Sequence, residues 1–295
     1  MSDDREQRNA VFQGAYAPPG ALSAQGMPAV STVEQLKADF GGLELPSEVV
    51  PLPSRGLAYE PGHPFAGVDT VEIKGMTARE EDILTSRAFL KKGTVITELI
   101  RSCLADRRVD PASLLAGDRN ALVVAIRITG YGPEYEAEVD CAACGERTPA
   151  TFNLGQLPLR SLELRPIEEG CNLFAFTLPR SGKKVCFRFL TGRDEQEIVA
   201  TAEQQRKHGL VGAADQVVTT NLLHSIVSIE GVTDRAKIAA FVRNGMRAGD
   251  SLALRTFIKE SEPGIRMRQA VECRKCGASE EVDMPMGVKF LWPHA

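Results

Sequence analysis

The chain has 295 residues, 43% of them hydrophobic, a formal net charge of -4 and a pI near 5.7. That length buries a sizeable core and excludes a small disulfide-stapled scaffold, and the acidic balance excludes a molecule-wide cationic field that would draw it to nucleic acid or to an anionic membrane. The opening residues hold acids and no apolar run, and no segment approaches the ~20 apolar residues of a membrane helix, so a soluble protein made in a reducing cytosol is expected.

Residues 1–45 are expected to form an extended N-terminal arm with one short helix. Up to about residue 30 the arm is rich in Ala, Gly, Pro, Gln and Ser, a composition that cannot offset its ordering entropy without a partner surface. The helix falls in STVEQLKADFGG, with Ser31 or Thr32 as cap and Gly41 or Gly42 as stop. Pro46, Pro51, Pro53, Pro61 and Pro64 then allow only short extended pieces and turns.

From Val71 the pattern becomes regular. VEIKGM alternates as a strand, and Thr77 to Glu80 reads as a capping box opening a helix through Ile83, Leu84 and Phe89. A second helix carries Val95, Ile96, Leu99, Ile100 and Cys103, and a third begins at Asp118 and runs through ALVVAIRITG. EYEAEV is a strand entering the pair Cys141 and Cys144, and TPATFNL is a strand leaving it.

The second half repeats this order. VCFRFLTGRDEQEI matches VEIKGMTAREEDIL, and VTTNLLHSIV matches VITELIRSCL. The block from Gly117 to Gly145 aligns without a gap on Gly249 to Gly277, with ten of 29 positions identical, including both cysteine pairs. The expected fold class is α+β, with tandem duplicated helical lobes each followed by a β-knuckle. Residues 46–160 form the first repeat and 161–295 the second, with about eighteen extra residues inside the second.

Each repeat supplies one Cys-x-x-Cys-Gly, which is half of a tetrahedral thiolate site. Cys141, Cys144, Cys273 and Cys276 are therefore the candidate ligands of one structural zinc per chain, in a zinc-ribbon-like unit that ties two distant segments of one chain together. Unliganded surface thiols, disulfides and a thioredoxin-type redox centre are the competing readings. The redox reading needs the motif at a helix start, whereas both pairs run into turn and strand signals.

No catalytic constellation is present, and a non-enzymatic protein is expected. His63, His208, His224 and His294 are scattered, with His224 facing Arg101 in the repeat alignment as a tolerant surface position. Glu80, Glu81 and Asp82 complement a helix dipole; Cys103, Cys171 and Cys186 fit buried apolar patterns; Arg274 and Lys275 fit a solvated loop tip. Phe290, Leu291 and Trp292 are either a hook into the core or an anchor for another subunit.

Leu-Pro-Ser-Arg-Gly (52–56), VEIKGMTAREEDIL, LLAGDRNALVVAIRITGYGPEYEAEVDCAACG and the terminal KFLWP together resemble the baseplate hub protein family of contractile-tailed bacteriophages, the type first described in T-even phages. The resemblance is strongest from Leu52 to Leu154. It implies a structural or assembly component of the tail baseplate, in the hub or a tube-proximal layer, assembled in the host cytoplasm and located in the virion tail. Its partners would be other baseplate and tail proteins, met through the N-terminal arm and the Phe290–Trp292 region, with no nucleic acid, membrane or small-molecule substrate. The chain departs from that family in length: the second repeat and the long arm leave room for another place in the baseplate. The alternative is a cytosolic zinc-ribbon adaptor for nucleic acid or transcription machinery. It needs a basic stripe at the knuckles, and the first knuckle, with Asp140, Ala142, Ala143 and Glu146, is acidic or neutral.

Overall fold

The proline-broken stretch holds a single strand, β1 (Ser47–Pro51), which pairs antiparallel with β2 (Thr70–Lys74) so that Val50 stands opposite Val71. The computed structural model describes residues 47–207, 217–284 and 288–291; the arm and helix expected over residues 1–45 lie outside them. The described residues fall within one compact unit, Leu45–Ala295.

After β2 comes α1 (Ala78–Thr85), opened by the expected capping box. The Glu80 carboxylate accepts the Thr77 backbone N–H at 2.9 Å and its hydroxyl at 2.6 Å. Glu80 is buried and also accepts the Ser102 hydroxyl at 2.5 Å, so it ties two helices together besides complementing a dipole. The helix stops short of Phe89. Ser86 turns extended (ψ 110°) and its carbonyl then accepts the Leu90 N–H, starting the separate helix α2 (Arg87–Lys92). Serine competes well for such cap positions, a preference that hydrophobic spacing does not record.

α3 (Val95–Cys103) buries Leu99, Ile100 and Cys103 on one stripe. α4 (Ala116–Tyr131) buries Ala121 to Val124, Ile126 and Arg127, so it is enclosed nearly all round and forms the centre of the core. It begins two residues before the expected Asp118. That aspartate, 0% exposed, serves a distant loop: it accepts Ser54 N–H at 2.9 Å, the Ser54 hydroxyl at 2.6 Å and the Tyr59 hydroxyl at 2.7 Å. The antiparallel ribbon β3 (Glu134–Asp140) and β4 (Arg147–Asn153) follows, with Tyr135, Val139, Thr148 and Phe152 turned inward.

The second half builds a mixed set of the same kinds of element. β5 (Leu159–Arg160) is followed by β6 (Phe174–Thr177) and β7 (Lys184–Phe187). Helices α5 (Gly192–Lys207) and α6 (Val217–Ser225) come next, then β8 (Ile226–Ile229), which completes a three-stranded antiparallel sheet in the order β6-β7-β8. α7 (Arg235–Ala240) runs into a wide turn, Phe241–Gly245, before α8 (Ala248–Ser261). β9 (Gly264–Ile265) pairs with β5, and β10 (Arg268–Glu272) pairs with β11 (Ser279–Asp283) as a second ribbon. A last turn of helix, α9 (Val288–Leu291), closes the described chain.

Contacts in the first half recur in the second. The loop Leu178-Pro179-Arg180-Ser181-Gly182 has the composition of Leu52-Pro53-Ser54-Arg55-Gly56 with Arg and Ser exchanged, and the glycines have φ of 68° at Gly56 and 69° at Gly182. Arg180 N–H donates to the buried Asp250 at 2.6 Å, as Ser54 does to Asp118. Asp194 accepts the Thr191 N–H and hydroxyl at 2.8 and 2.7 Å, as Glu80 does from Thr77.

The two halves interlock at the start of α5. Arg119, buried on α4, donates to the Pro111 carbonyl at 2.8 Å and lies 3.8 Å from Glu195, and Gly192 leaves no more than the room its guanidinium needs. Gln196 donates to Thr97 at 2.7 Å across the same seam. At the other end Phe290 is 1% exposed, meets Tyr135 edge-on and accepts Arg127 Nε–H at 2.7 Å through its carbonyl. Of the two expectations for this cluster, core packing therefore holds for Phe290 and Leu291, and Phe290 is not free to anchor a partner. Trp292 lies outside the described residues.

Candidate metal centre

Strand β3 carries the chain straight into the first knuckle. Cys141 N–H donates to the Glu146 carbonyl and Gly145 N–H returns to the Cys141 carbonyl at 2.8 Å, a turn that Gly145 closes at φ +70°. The second knuckle has the same geometry. Cys273 N–H donates to the Ala278 carbonyl, Gly277 N–H to the Cys273 carbonyl at 2.9 Å, and Gly277 has φ +70°. Equal local sequence gives equal local structure.

The ribbons bring these tips together, although the pairs are far apart in sequence. Cys141 Sγ lies 3.7 Å from Cys276 Sγ, and Cys144 Sγ lies 3.7 Å from Cys273 Sγ. All four sulfurs lie within 4.8 Å of one another, and none is in a disulfide. A tetrahedral ion with metal–sulfur bonds of ~2.3 Å would space its sulfurs by ~3.8 Å, so the observed edges fit four-thiolate coordination. The soft donor set suits an ion such as zinc. Cys141 and Cys273 are buried, Cys144 and Cys276 exposed. The space between the two ribbons beneath them is lined by Val139, Val271 and Val282 together with Asp140, Thr148 and Glu280.

Polar contacts hold the knuckles against each other. Ala142 N–H donates to the Glu280 carboxylate at 3.1 Å, and Lys275 Nζ meets Glu146 at 2.5 Å. Lys275 is thus a cross-knuckle partner where a solvated loop tip was expected. Thr148 Oγ1 lies 3.5 Å from Cys273 Sγ. That hydroxyl and the backbone N–H groups of Cys276 and Lys275 bring the Cys273 thiol down to about 6. At Cys144 the Glu146 backbone favours the thiolate, but the three neighbouring sulfurs outweigh it and push the thiol up to about 12. Four thiolates this close repel one another, so a divalent cation is the natural counter-charge and would displace protons on binding.

Asp194, Glu197 and His224 also converge within 4.8 Å. Here both Asp194 oxygens are engaged by Arg188, at 2.8 and 2.5 Å, and Thr191 donates twice more, so a guanidinium already holds the place an ion would take. His224, expected at a tolerant surface position, is half-buried in this network with Nδ1 3.5 Å from Asp194. His63 stacks on Tyr59 with ring centroids 4.5 Å apart and shares a hydrogen bond with Ser113; burial lowers its pKa. His208 and His294 lie outside the described residues.

Cys103 is buried as expected, and burial pushes its thiol up to about 12. Cys171 and Cys186 are only half-buried; on β7, Cys186 alternates with the fully buried Val185 and Phe187 and so lies on the opposite face of the strand. Thr148 and Glu280 were not singled out by sequence; a threonine and a glutamate in alternating strands carry no local mark of a partner in the opposite ribbon. No helix among the described residues is long and apolar enough to cross a membrane.

A family described as T4 bacteriophage base plate protein matches residues 65–292. No curated protein and no solved structure matches the chain.

Proposed function

The chain belongs to the T4 bacteriophage base plate protein family, and from that premise we propose that it is a non-enzymatic structural or assembly component of a contractile tail baseplate, in the hub or a tube-proximal layer. One structural zinc on Cys141, Cys144, Cys273 and Cys276 would hold the tips of its two ribbons together. The observation that carries the metal part is the meeting of four sulfurs at tetrahedral spacing from motifs 129 residues apart. The zinc would supply charge compensation for the thiolates and a fixed link between the ribbons. With four protein ligands the site has no open position for water or substrate, so its role is architectural.

The protein's own residues divide the remaining work. Thr148 and the knuckle amides favour a thiolate at Cys273, and Lys275 and Glu146 align the tips. We read the chain as a tandem duplication, 46–160 and 161–295. The paired Asp118 and Asp250 contacts, the paired Thr77 and Thr191 caps and the equal knuckles support that reading. A nucleic-acid adaptor is disfavoured because Lys275 is engaged by Glu146 and the ribbon beside the first knuckle presents acids.

Quantitative mass spectrometry of purified particles tests the location. The protein is expected at a fixed copy number in the tail; its absence from finished particles while present in assembly intermediates would make it a transient assembly factor, and absence from both would reject the reading. Metal analysis of chain purified without chelator should give one zinc per chain. Two zincs, or none, would reject the shared site.

A further inference from the structure

On its outward face β3 presents Glu134, Glu136, Glu138 and Asp140 in an unbroken alternating row, all exposed. Arg147 of β4 offsets part of this, at 3.1 Å from Asp140 and 3.9 Å from Glu138, while the Glu134 and Glu136 carboxylates form no ion pair among the described residues, although Arg127 donates to the Glu134 carbonyl at 3.3 Å. The row extends over ~20 Å at strand spacing. Like charges on one face of a strand destabilise the isolated ribbon.

The opposite sign gathers in the second half. Arg180 lies against the first turn of α8, its Cγ and Nε 3.5 Å from the place a Cβ on Gly249 would take, and Lys183 Nζ lies 6.0 Å from the centre of the Phe241 ring. Lys237 stands one helical turn before Phe241, Arg243 lies within the wide turn and Arg247 caps the helix that follows it. None of these five cations has an ion-pair partner among the described residues. The acids at the border are committed elsewhere: Asp234 caps α7, Glu230 accepts the Lys184 N–H and Asp250 is buried.

We infer that the acidic face of β3 in one copy docks on the basic surface around Phe241 in a second copy of the chain. Both surfaces are exposed, so neither is satisfied within one molecule, and together they are complementary in sign. A contact between two different patches is heterologous: each copy that docks leaves one acidic and one basic patch free, so association continues into a ring or a row. The ribbon is narrow, which makes the contact small, salt-sensitive and dependent on local concentration. The inference stands apart from the metal and from the baseplate reading.

Sedimentation of the full-length, metal-loaded chain tests it. At low salt the weight-average mass should rise with concentration, and at high salt it should fall to that of one chain. Glu134→Lys with Glu136→Lys, and separately Arg243→Glu with Arg247→Glu, should each weaken association about tenfold or more. Mixing these two variants should restore it, because each then presents a patch opposite in sign to one on the other. An unchanged circular dichroism spectrum and thermal midpoint establish that both variants fold. A chain that stays monomeric at low salt up to its solubility limit, association that both reversals leave unchanged, or a mixture of variants that fails to associate would each overturn the inference.

Discussion

Gly117 and Gly249 occupy the same place in the two copies of the Gly-Asp motif, yet their surroundings differ. A Cβ on Gly117 would stand 1.7 Å from the Pro263 carbonyl oxygen, whereas one on Gly249 meets nothing closer than 3.5 Å. Neither has positive φ, so the difference is one of space. Gly117→Ala should cost about 1–3 kcal/mol or more through overpacking, and Gly249→Ala should be neutral or stabilise by up to about 1 kcal/mol, as alanine does in helices. Urea unfolding of the two variants checks this. The neighbouring aspartates differ likewise. Asp118 satisfies three donors from Ser54 and Tyr59, while one Asp250 oxygen has no partner among the described residues. Asp118→Ala should therefore destabilise by roughly 3 kcal/mol, since it strands buried donors, and Asp250→Ala by clearly less. Equal losses in the same unfolding experiment would contradict the asymmetry.

At the scale of elements, the first turns of α1 and α5 use one device with different strength. Burial works against ionisation of Asp194, but the paired guanidinium of Arg188 and the two Thr191 donors outweigh it, and the carboxyl is held well below the usual carboxylate range. Glu80 is likewise lowered, burial being overcome by the Ser102 and Thr77 donors. A carboxylate depressed in the folded state stabilises fully above its unfolded pKa of about 4 and loses that contribution as pH falls through the folded value. Asp194→Asn should thus lower stability at pH 7 by about 1.5–3 kcal/mol and by progressively less below pH 4, flattening the acid limb of the stability profile. A parallel loss at pH 3 and pH 7 would show that packing, not charge, is what Asp194 supplies. Helix capping here was legible in Thr77-x-x-Glu80, because that signal is local. The break at Ser86 was not, since the apolar positions continue across it.

At the scale of the molecule, the proposed zinc links the ends of two ribbons whose own helices are interlocked through Arg119 and Gln196 at the far seam. Removal should therefore loosen one end first. With a strong chelator, amides of β10 and β11 should lose exchange protection before those of α4, and the thermal midpoint should drop, consistent with a link that is worth ~10–16 kcal/mol in isolated finger peptides. Cys144→Ser should give the same pattern without chelator. Uniform loss of protection across both ribbons and α4 would mean that the centre governs the whole fold.

The sequence alone determined the kinds of element and the four candidate ligands. Those rest on short-range patterns: alternation in β3, helical spacing in α3, and a Cys-x-x-Cys-Gly turn that folds the same way twice because its glycine closes it. Tertiary structure alone decided which distant groups meet. Asp118 found Ser54, Lys275 found Glu146, Arg119 was enclosed at Gly192, and Phe290 was drawn into the core against Tyr135. The same holds for the two knuckles, whose sulfurs come within 3.7 Å inside one chain, where Ala142 N–H meets Glu280 and Lys275 meets Glu146 across the ribbons. Burial of apolar surface selects contacts such as that of Phe290 with Tyr135, and it depends on the shape of the whole core, which no local stretch of residues carries.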